Sequence, residues 1–377
     1  MSMRDEEQPV SLYAESGVDT AAGDRAVELM KAAVQATHGP EVIGGVGGFA
    51  GMFDAAALRG LDHPVLATST DGVGTKVAIA QALDRHDTIG QDLVGMVVDD
   101  IVVIGARPLF MTDYIACGHV VPERIAEIVG GVARACGETG TALVGGEVAE
   151  HPDLLGPDDY DVAGAATGVV DLDARLDPSR VRPGDAVIAL ASSGLHSNGY
   201  SLVRRVLADA GVGYGDRVDE LGGPIGEALL EPTRLYTTPV LRVLDGAATR
   251  GAVHMFSHIT GGGIAANVAR VLPSGTWVEI DRATWCPPVV FRVLADLGGF
   301  ELGAVEDTWN LGIGMVAVVA ADRADAVAAA FTAQGVPAWR VGTVSDAARD
   351  LAADGFTVGA KGVHAGGVRL VGTFAGE

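Results

Sequence analysis

The apolar residues of this chain come in strand-length bursts and amphipathic stretches separated by glycine- and proline-rich turns. No segment approaches the roughly 20 unbroken apolar residues of a membrane span. Runs of β-branched residues alternate with stretches that are apolar at helical spacing, so sheets must form with helices laid against them. The first half reads as strands at 63–69, 109–117, 141–144 and 160–170, with helices at 92–105 and 122–136. Pro122 suits a helix start, and Gly137 and Gly140 suit its end. The second half reads as strands at 185–191, 253–259, 312–320 and 339–344, with helices at 200–210, 264–271 and 324–334.

With 377 residues the chain has room for two full cores. Residues 176–184, rich in proline and charge, mark the boundary between them. The expected fold class is α/β (α+β), with two mixed-sheet domains at 1–175 and 176–345. A tail, 346–377, carries one closing strand at 367–372.

A formal charge of −23 excludes nucleic acid as a partner, because phosphate backbones would be repelled. A small anion stays compatible if a cation and helix N-termini overcome the global field within a cleft. The polar, acidic start of the sequence resembles neither a signal nor a transit peptide, and the expected setting, read from reduced cysteines, is the cytoplasm. Cys117, Cys136 and Cys286 sit in apolar contexts without Cys-x-x-Cys spacing and read as reduced core thiols.

The first strand runs into Thr70-Asp71-Gly72-Val73-Gly74-Thr75-Lys76. A carboxylate, two glycines, a hydroxyl and an ammonium at a strand end suit a metal-bound phosphate: Asp71 for Mg²⁺, Gly72 and Gly74 for backbone approach, Thr75 as the hydroxyl beside them and Lys76 for the remaining charge. Lysine occurs only at 31, 76 and 361, so its retention here carries weight. This is no Walker A loop, since Val77 follows the lysine. A turn with an exposed lysine stays open as the plainer reading.

Further acids stand at Asp99, Asp100 and Glu147, the last after Gly145-Gly146. Asp99 and Asp100 can both sit on an exposed helix face. Adjacent residues point about 100° apart on a helix, however, so one aspartate can face in and the other out, and Asp100 is the expected inward ligand. Residues 192–201 join a strand to a helix that Ser197 or Asn198 can cap. His196, just before that cap, is placed for acid–base work or for a structural role. Gly261, Gly262 and Gly263 precede a helix, either as an anion site or as a tight turn. Residues 44–49, with Gly47 and Gly48, form a lid or a plain loop.

Taken in order, these segments resemble the phosphoribosylformylglycinamidine cyclo-ligase family. The similarity includes residues 13–19, 40–49, 70–76, 85–90, 145–147, 159–164, 192–203, 260–263 and 310–315, and so covers the chain to about residue 344. It implies a homodimer built through the N-terminal sheet. It also implies an ATP-driven ring closure: the formamide oxygen of formylglycinamidine ribonucleotide is phosphorylated, the amidine nitrogen attacks that carbon, and phosphate leaves. By the same resemblance Asp71, Asp100 and Glu147 are the Mg²⁺- and nucleotide-facing acids. Lys31 and Lys76 are nucleotide-side lysines, and His196 and Asn198 lie near the reacting centre. Gly261–Gly263 are the candidate seat of the substrate phosphate. Three positions depart from the family pattern, Asp99, Val148 and Ala266. The rival readings are a related ATP-using enzyme of the same superfamily and a non-catalytic nucleotide sensor.

Overall fold

A computed structural model describes residues 20–360 and 362–376. The motif at 13–19 and Lys361 lie outside the described residues. The N-terminal sheet is built from β1 (Pro64–Gly72), β2 (Arg107–Cys117), β3 (Ala142–Glu150) and β4 (Tyr160–Asp171), in the order β1-β4-β2-β3. β2 and β3 are parallel and the other neighbours antiparallel. Along β1, Val65, Ala67, Ser69 and Asp71 turn towards the helices, while Leu66, Thr68 and Thr70 are exposed. That alternation is the period of a strand with one covered face.

Among the described residues, four helices accompany this sheet: α1 (Thr20–Gln35), α2 (Val77–Leu83), α3 (Ile89–Val102) and α4 (Pro122–Thr139). Proline opens α4, and Gly140 closes it at φ +68°, its N–H reaching the carbonyls of Cys136 and Gly137. α3 is buried almost all round, as its apolar composition requires. Its Leu93, Val97 and Ile101 are fully enclosed, each stabilising the fold by about 1.5–3 kcal/mol. Gly90 lets α3 cross α4 closely, since a Cβ there would lie 2.0 Å from the Val132 nitrogen.

The C-terminal sheet holds β5 (Ala186–Ala191), β6 (Val253–His258), β7 (Trp277–Asp281), β8 (Ile313–Val319), β9 (Ala338–Ser345), β10 (Thr357–Ala360) and β11 (Val363–Val371). Their order is β6-β8-β5-β9-β7-β11-β10, antiparallel except for β7 with β11. Every residue of β8 is buried, because helices or loops cover both faces. The helices of this half are α5 (Tyr200–Ala210), α6 (Thr237–Asp245), α7 (Gly263–Ala269), α8 (Val289–Gly298) and α9 (Ala324–Thr332), besides a short one at Ile225–Leu229.

Three expectations change. Gly145-Gly146-Glu147 is not a turn after a strand; it lies inside β3. The tail carries two strands, β10 and β11, instead of one. Cys286 is exposed, whereas Cys117 and Cys136 are buried thiols.

Candidate active site

α3 carries the geometry of the site. Asp92, Met96 and Asp100 follow one another at i, i+4 and i+8, so they share one stripe of the helix. Each meets a different segment of the C-terminal half. The Asp92 carboxylate accepts from the Thr233 backbone N–H at 2.8 Å and its hydroxyl at 2.7 Å. The Met96 sulfur lies 3.6 Å from Asn198 Nδ2. Asp100 Oδ1 stands 2.8 Å from Nδ1 of His258, the last residue of β6.

Of the two adjacent aspartates, Asp99 is the inward one. It is fully buried, accepting from the Tyr236 N–H and, at 2.7 Å, from the Thr237 hydroxyl. Burial pushes its carboxyl up to about 6, against the His258 charge and these hydrogen bonds. Asp100, expected inside, keeps 41% of its side chain exposed. The 100° offset holds, but which residue points inward is decided by residues 236–237 and 258.

His258 was not singled out by the sequence reading, although it stands directly before Ile259-Thr260-Gly261-Gly262-Gly263, a strand end of the same type as Asp71's. Burial works against its charge. Asp100 at Nδ1 outweighs that, with Asp99 and Asp71 adding to it, and the imidazolium is held above its ordinary range. Its Nε2 is buried and, among the described residues, without a protein partner.

Lys76, expected on the nucleotide side, is turned to protein groups. It is wholly buried, and its ammonium donates to Asp92 Oδ1 at 2.8 Å, to the Glu231 carbonyl at 2.7 Å and to the His196 carbonyl at 3.1 Å. An ammonium has three N–H donors, and all three are engaged. Burial lowers its pKa and the Asp92 charge pulls it back.

His196 is likewise enclosed, at φ +61°. Its Nε2 accepts from the Ser193 N–H at 3.2 Å, which places the ring proton on Nδ1. Burial, followed by the charges of His258, Lys76 and Arg234, holds it far below the usual histidine range. A neutral ring whose lone pair is already bonded is not poised to take a proton, contrary to the acid–base expectation. Asn198 beside it is only half-buried, and its Oδ1 lies 3.5 Å from where a Cβ on Gly261 would be. The turns at 196–199 and 260–263 therefore do meet. Gly263 is required by contact as well as by φ +70°, because a Cβ there would fall 1.7 Å from the Glu306 carbonyl oxygen.

The acids assigned to Mg²⁺ are not gathered in one chain. Asp71 pairs across the sheet with Gly164, Gly164 with Asp113, and Asp113 with Gly146. Glu147 is thus about three strand spacings, about 14 Å, from Asp71. It also points to the opposite face, alongside its neighbour Tyr114. Among the described residues, no three of His, Cys, Asp and Glu are grouped to hold a metal ion. Lys31 lies on α1, which packs against α4 and β3, and it pairs at the surface with Glu28 at 3.1 Å. Gly47 and Gly48 lie in the loop between the short strands Val42–Ile43 and Met52–Phe53, on the same β3 side, where Gly51 abuts Val144. The predicted residues thus form two groups at opposite edges of one sheet. Asp71, Gly72, Gly74, Thr75, Asp100, Asn198 and Gly261–Gly263 belong to one, and Lys31, Gly47, Gly48 and Glu147 to the other.

Residues 53–170 match the family described as AIR synthase related protein, N-terminal domain, and residues 182–352 the corresponding C-terminal domain. Among curated proteins, the phosphoribosylformylglycinamidine cyclo-ligases of Geobacillus sp. (strain WCH70) and Sorangium cellulosum are each 48% identical over 333 residues. The match takes in 88% of this chain and 95% and 94% of theirs. That of Desulfitobacterium hafniense (strain DSM 10664 / DCB-2) is 46% identical over 88% of this chain and 96% of its own. Among solved structures, thiamine-monophosphate kinase from Stenotrophomonas maltophilia shares the fold with a TM-score of 0.65 at 18% identity, covering 92% of this chain and 97% of that one. Hydrogenase maturation protein HypE in complex with ATP does so at 0.60 and 18%, covering 94% and 93%. An ordered match of this identity along most of its length makes the chain a member of the phosphoribosylformylglycinamidine cyclo-ligase family.

Proposed function

We infer that this protein closes the imidazole ring of aminoimidazole ribonucleotide in purine biosynthesis, converting formylglycinamidine ribonucleotide and ATP into that product, ADP and phosphate. The observation that carries the reading is the Asp100–His258 contact. It brings a carboxylate of the N-terminal half and an imidazole of the C-terminal half together where two glycine-rich turns converge.

The γ-phosphoryl group moves to the formamide oxygen and makes it a leaving group. The amidine nitrogen then attacks the same carbon, phosphate departs with the oxygen, and the nitrogen loses a proton. Holding both ends of one flexible substrate in register supplies much of such a rate enhancement. Asn198 and the backbone at Gly261–Gly263 are the proposed substrate contacts. His258, in place of His196, is the proposed imidazole beside the reacting amide, its charge matched to the phosphoryl oxygens of the group in transfer. Asp71 and Asp100 offer the hard oxygen donors that Mg²⁺ prefers, and one or two carboxylates suffice when phosphate oxygens complete the shell. Bound there, Mg²⁺ would neutralise phosphate charge.

A homodimer through the N-terminal sheet is part of this proposal. Its support is the sheet face turned away from the helices, where, among the described residues, Leu66 is left 60% exposed and Tyr114 41%. A second chain is also the means of bringing Lys31, Gly47, Gly48 and Glu147 to an Asp71-side site. A cytoplasmic setting is supported by the three free cysteines. The domain division at 1–175, 176–345 and 346–377 is retained as a proposal, supported by the separate sheets.

Purified protein supplied with ATP, Mg²⁺ and formylglycinamidine ribonucleotide should yield the aminoimidazole product. A folded protein that forms none refutes the assignment.

A further inference from the structure

We propose that Lys76 is a positioning residue that sets the 196–199 turn of the C-terminal half against α3, and is not a ligand of phosphate. The proposal rests on the cyclo-ligase reading for what the turn serves. The geometry itself is independent of that reading.

Lys76 and Asp92 both belong to the N-terminal half, yet nearly everything else they touch belongs to the other. The ammonium takes the carbonyls of His196 and Glu231, and it stands 5.6 Å above the ring of Tyr200, the first residue of α5. It therefore grips the turn before and after Asn198. Asp92 holds Thr233, whose hydroxyl lies 3.3 Å from the Ser197 hydroxyl, and Gln91 bonds the Thr233 carbonyl at 2.8 Å. Ser193 donates to the Pro232 carbonyl at 2.6 Å, so the 231–233 segment is fastened on both sides.

The turn needs such fastening. His196 occupies the left-handed region without being glycine, a conformation that persists only where its surroundings over-determine it. Its carbonyl is fixed by Lys76 and its ring by the Ser193 N–H. Releasing the carbonyl frees the backbone immediately before Asn198, whose amide meets Met96 and Gly261. A displacement of about 1 Å there costs about 100-fold in rate even when the chemical groups are intact. A phosphate ligand would need a donor to spare and access to solvent, and Lys76 has neither.

Removing the lysine alone strands the Asp92 charge, so the decisive variant is the neutral pair Lys76→Met/Asp92→Asn, which keeps an oxygen for Thr233. Turnover, affinity for a nonhydrolysable ATP analogue with Mg²⁺, and Tm are read together. The expected result is a folded protein with kcat down about 100-fold and analogue affinity within about threefold of the parent. Affinity lost in step with kcat would make Lys76 a phosphate ligand, and an undiminished kcat would make the pair scaffolding alone; either overturns the proposal. If the pair does not fold, Thr233→Val decides. It removes only the hydroxyl linking Asp92 to Ser197, and kcat should fall about tenfold with affinity retained. Unchanged turnover would overturn the proposal. Whether the parent protein makes product at all tests the cyclo-ligase reading separately.

Discussion

α3 meets the C-terminal half at two carboxylate–cation pairs, and they differ in enclosure. At the Asp92 end both side chains are wholly buried and the lysine's N–H groups are spent, although Asp92 Oδ2 is without a partner among the described residues. At the Asp100 end the carboxylate is part-exposed and, among the described residues, the imidazole keeps one nitrogen without a protein partner. The chemistry of the pairs is similar, but what surrounds them is not. A sealed pair holds two halves in register, whereas a half-open one has capacity left for a ligand. Charge and motif alone would have assigned both ends to the ligand.

Breaking the sealed pair should have the largest effect. Lys76→Met leaves the Asp92 carboxylate buried with no counter-charge and should destabilise the fold by about 3–5 kcal/mol, measured by urea unfolding. At the open pair the loss should fall on rate. His258→Asn should lower kcat by about 10²–10³ with a nearly unchanged Tm, as removal of one charge-stabilising donor does. If Tm fell as far as for the lysine variant, the contrast between the pairs would collapse.

A third test lies under the sheet, away from both pairs. The Asp113 carboxyl is enclosed, and burial pushes it up to about 7, opposed only by its own backbone N–H. The native state therefore holds this proton over a pH range in which the unfolded chain has lost it. Stability from this group falls as pH rises from about 4 to about 7 and stays low above that. Asp113→Asn should accordingly gain about 1–3 kcal/mol at pH 8 and nothing at pH 4. A gain equal at both pH values would mean that the carboxyl is not held protonated. The smallest effect is expected for Asp71→Asn, which should raise the half-saturating Mg²⁺ concentration about tenfold, or about 1.4 kcal/mol. An unchanged magnesium titration would remove Asp71 from the metal-facing group.

Local pattern made most of the fold legible. α5 spans the residues its periodicity predicts, Tyr200–Ala210, and α4 begins at its proline. The site was legible in its turns and less so in its side chains. Gly145-Gly146 reads as a turn, but Gly146 lies within a strand where a Cβ would sit 1.8 Å from Asp113 Oδ1; the glycine answers a packing demand. Lys76 reads as a phosphate lysine because its partner Asp92 is sixteen residues on, within another helix. Which of Asp99 and Asp100 faces inward is set by contacts 137 to 158 residues away, beyond the reach of any local pattern. His258 could have been found by asking of its strand end what was asked of Asp71's.

The late strands have a consequence for biosynthesis. The N-terminal sheet needs nothing beyond residue 171, whereas β7 receives its parallel neighbour only when 363–371 have been made. Glu279 on β7 waits for Arg369, which binds it at 2.6 Å, and Trp285 waits for Phe374 at a ring separation of 5.2 Å. On the ribosome, the strands of the first sheet can pair while the second sheet still presents an open strand edge. A chain stopped short of β11 would keep that edge, a ready template for pairing with other nascent chains.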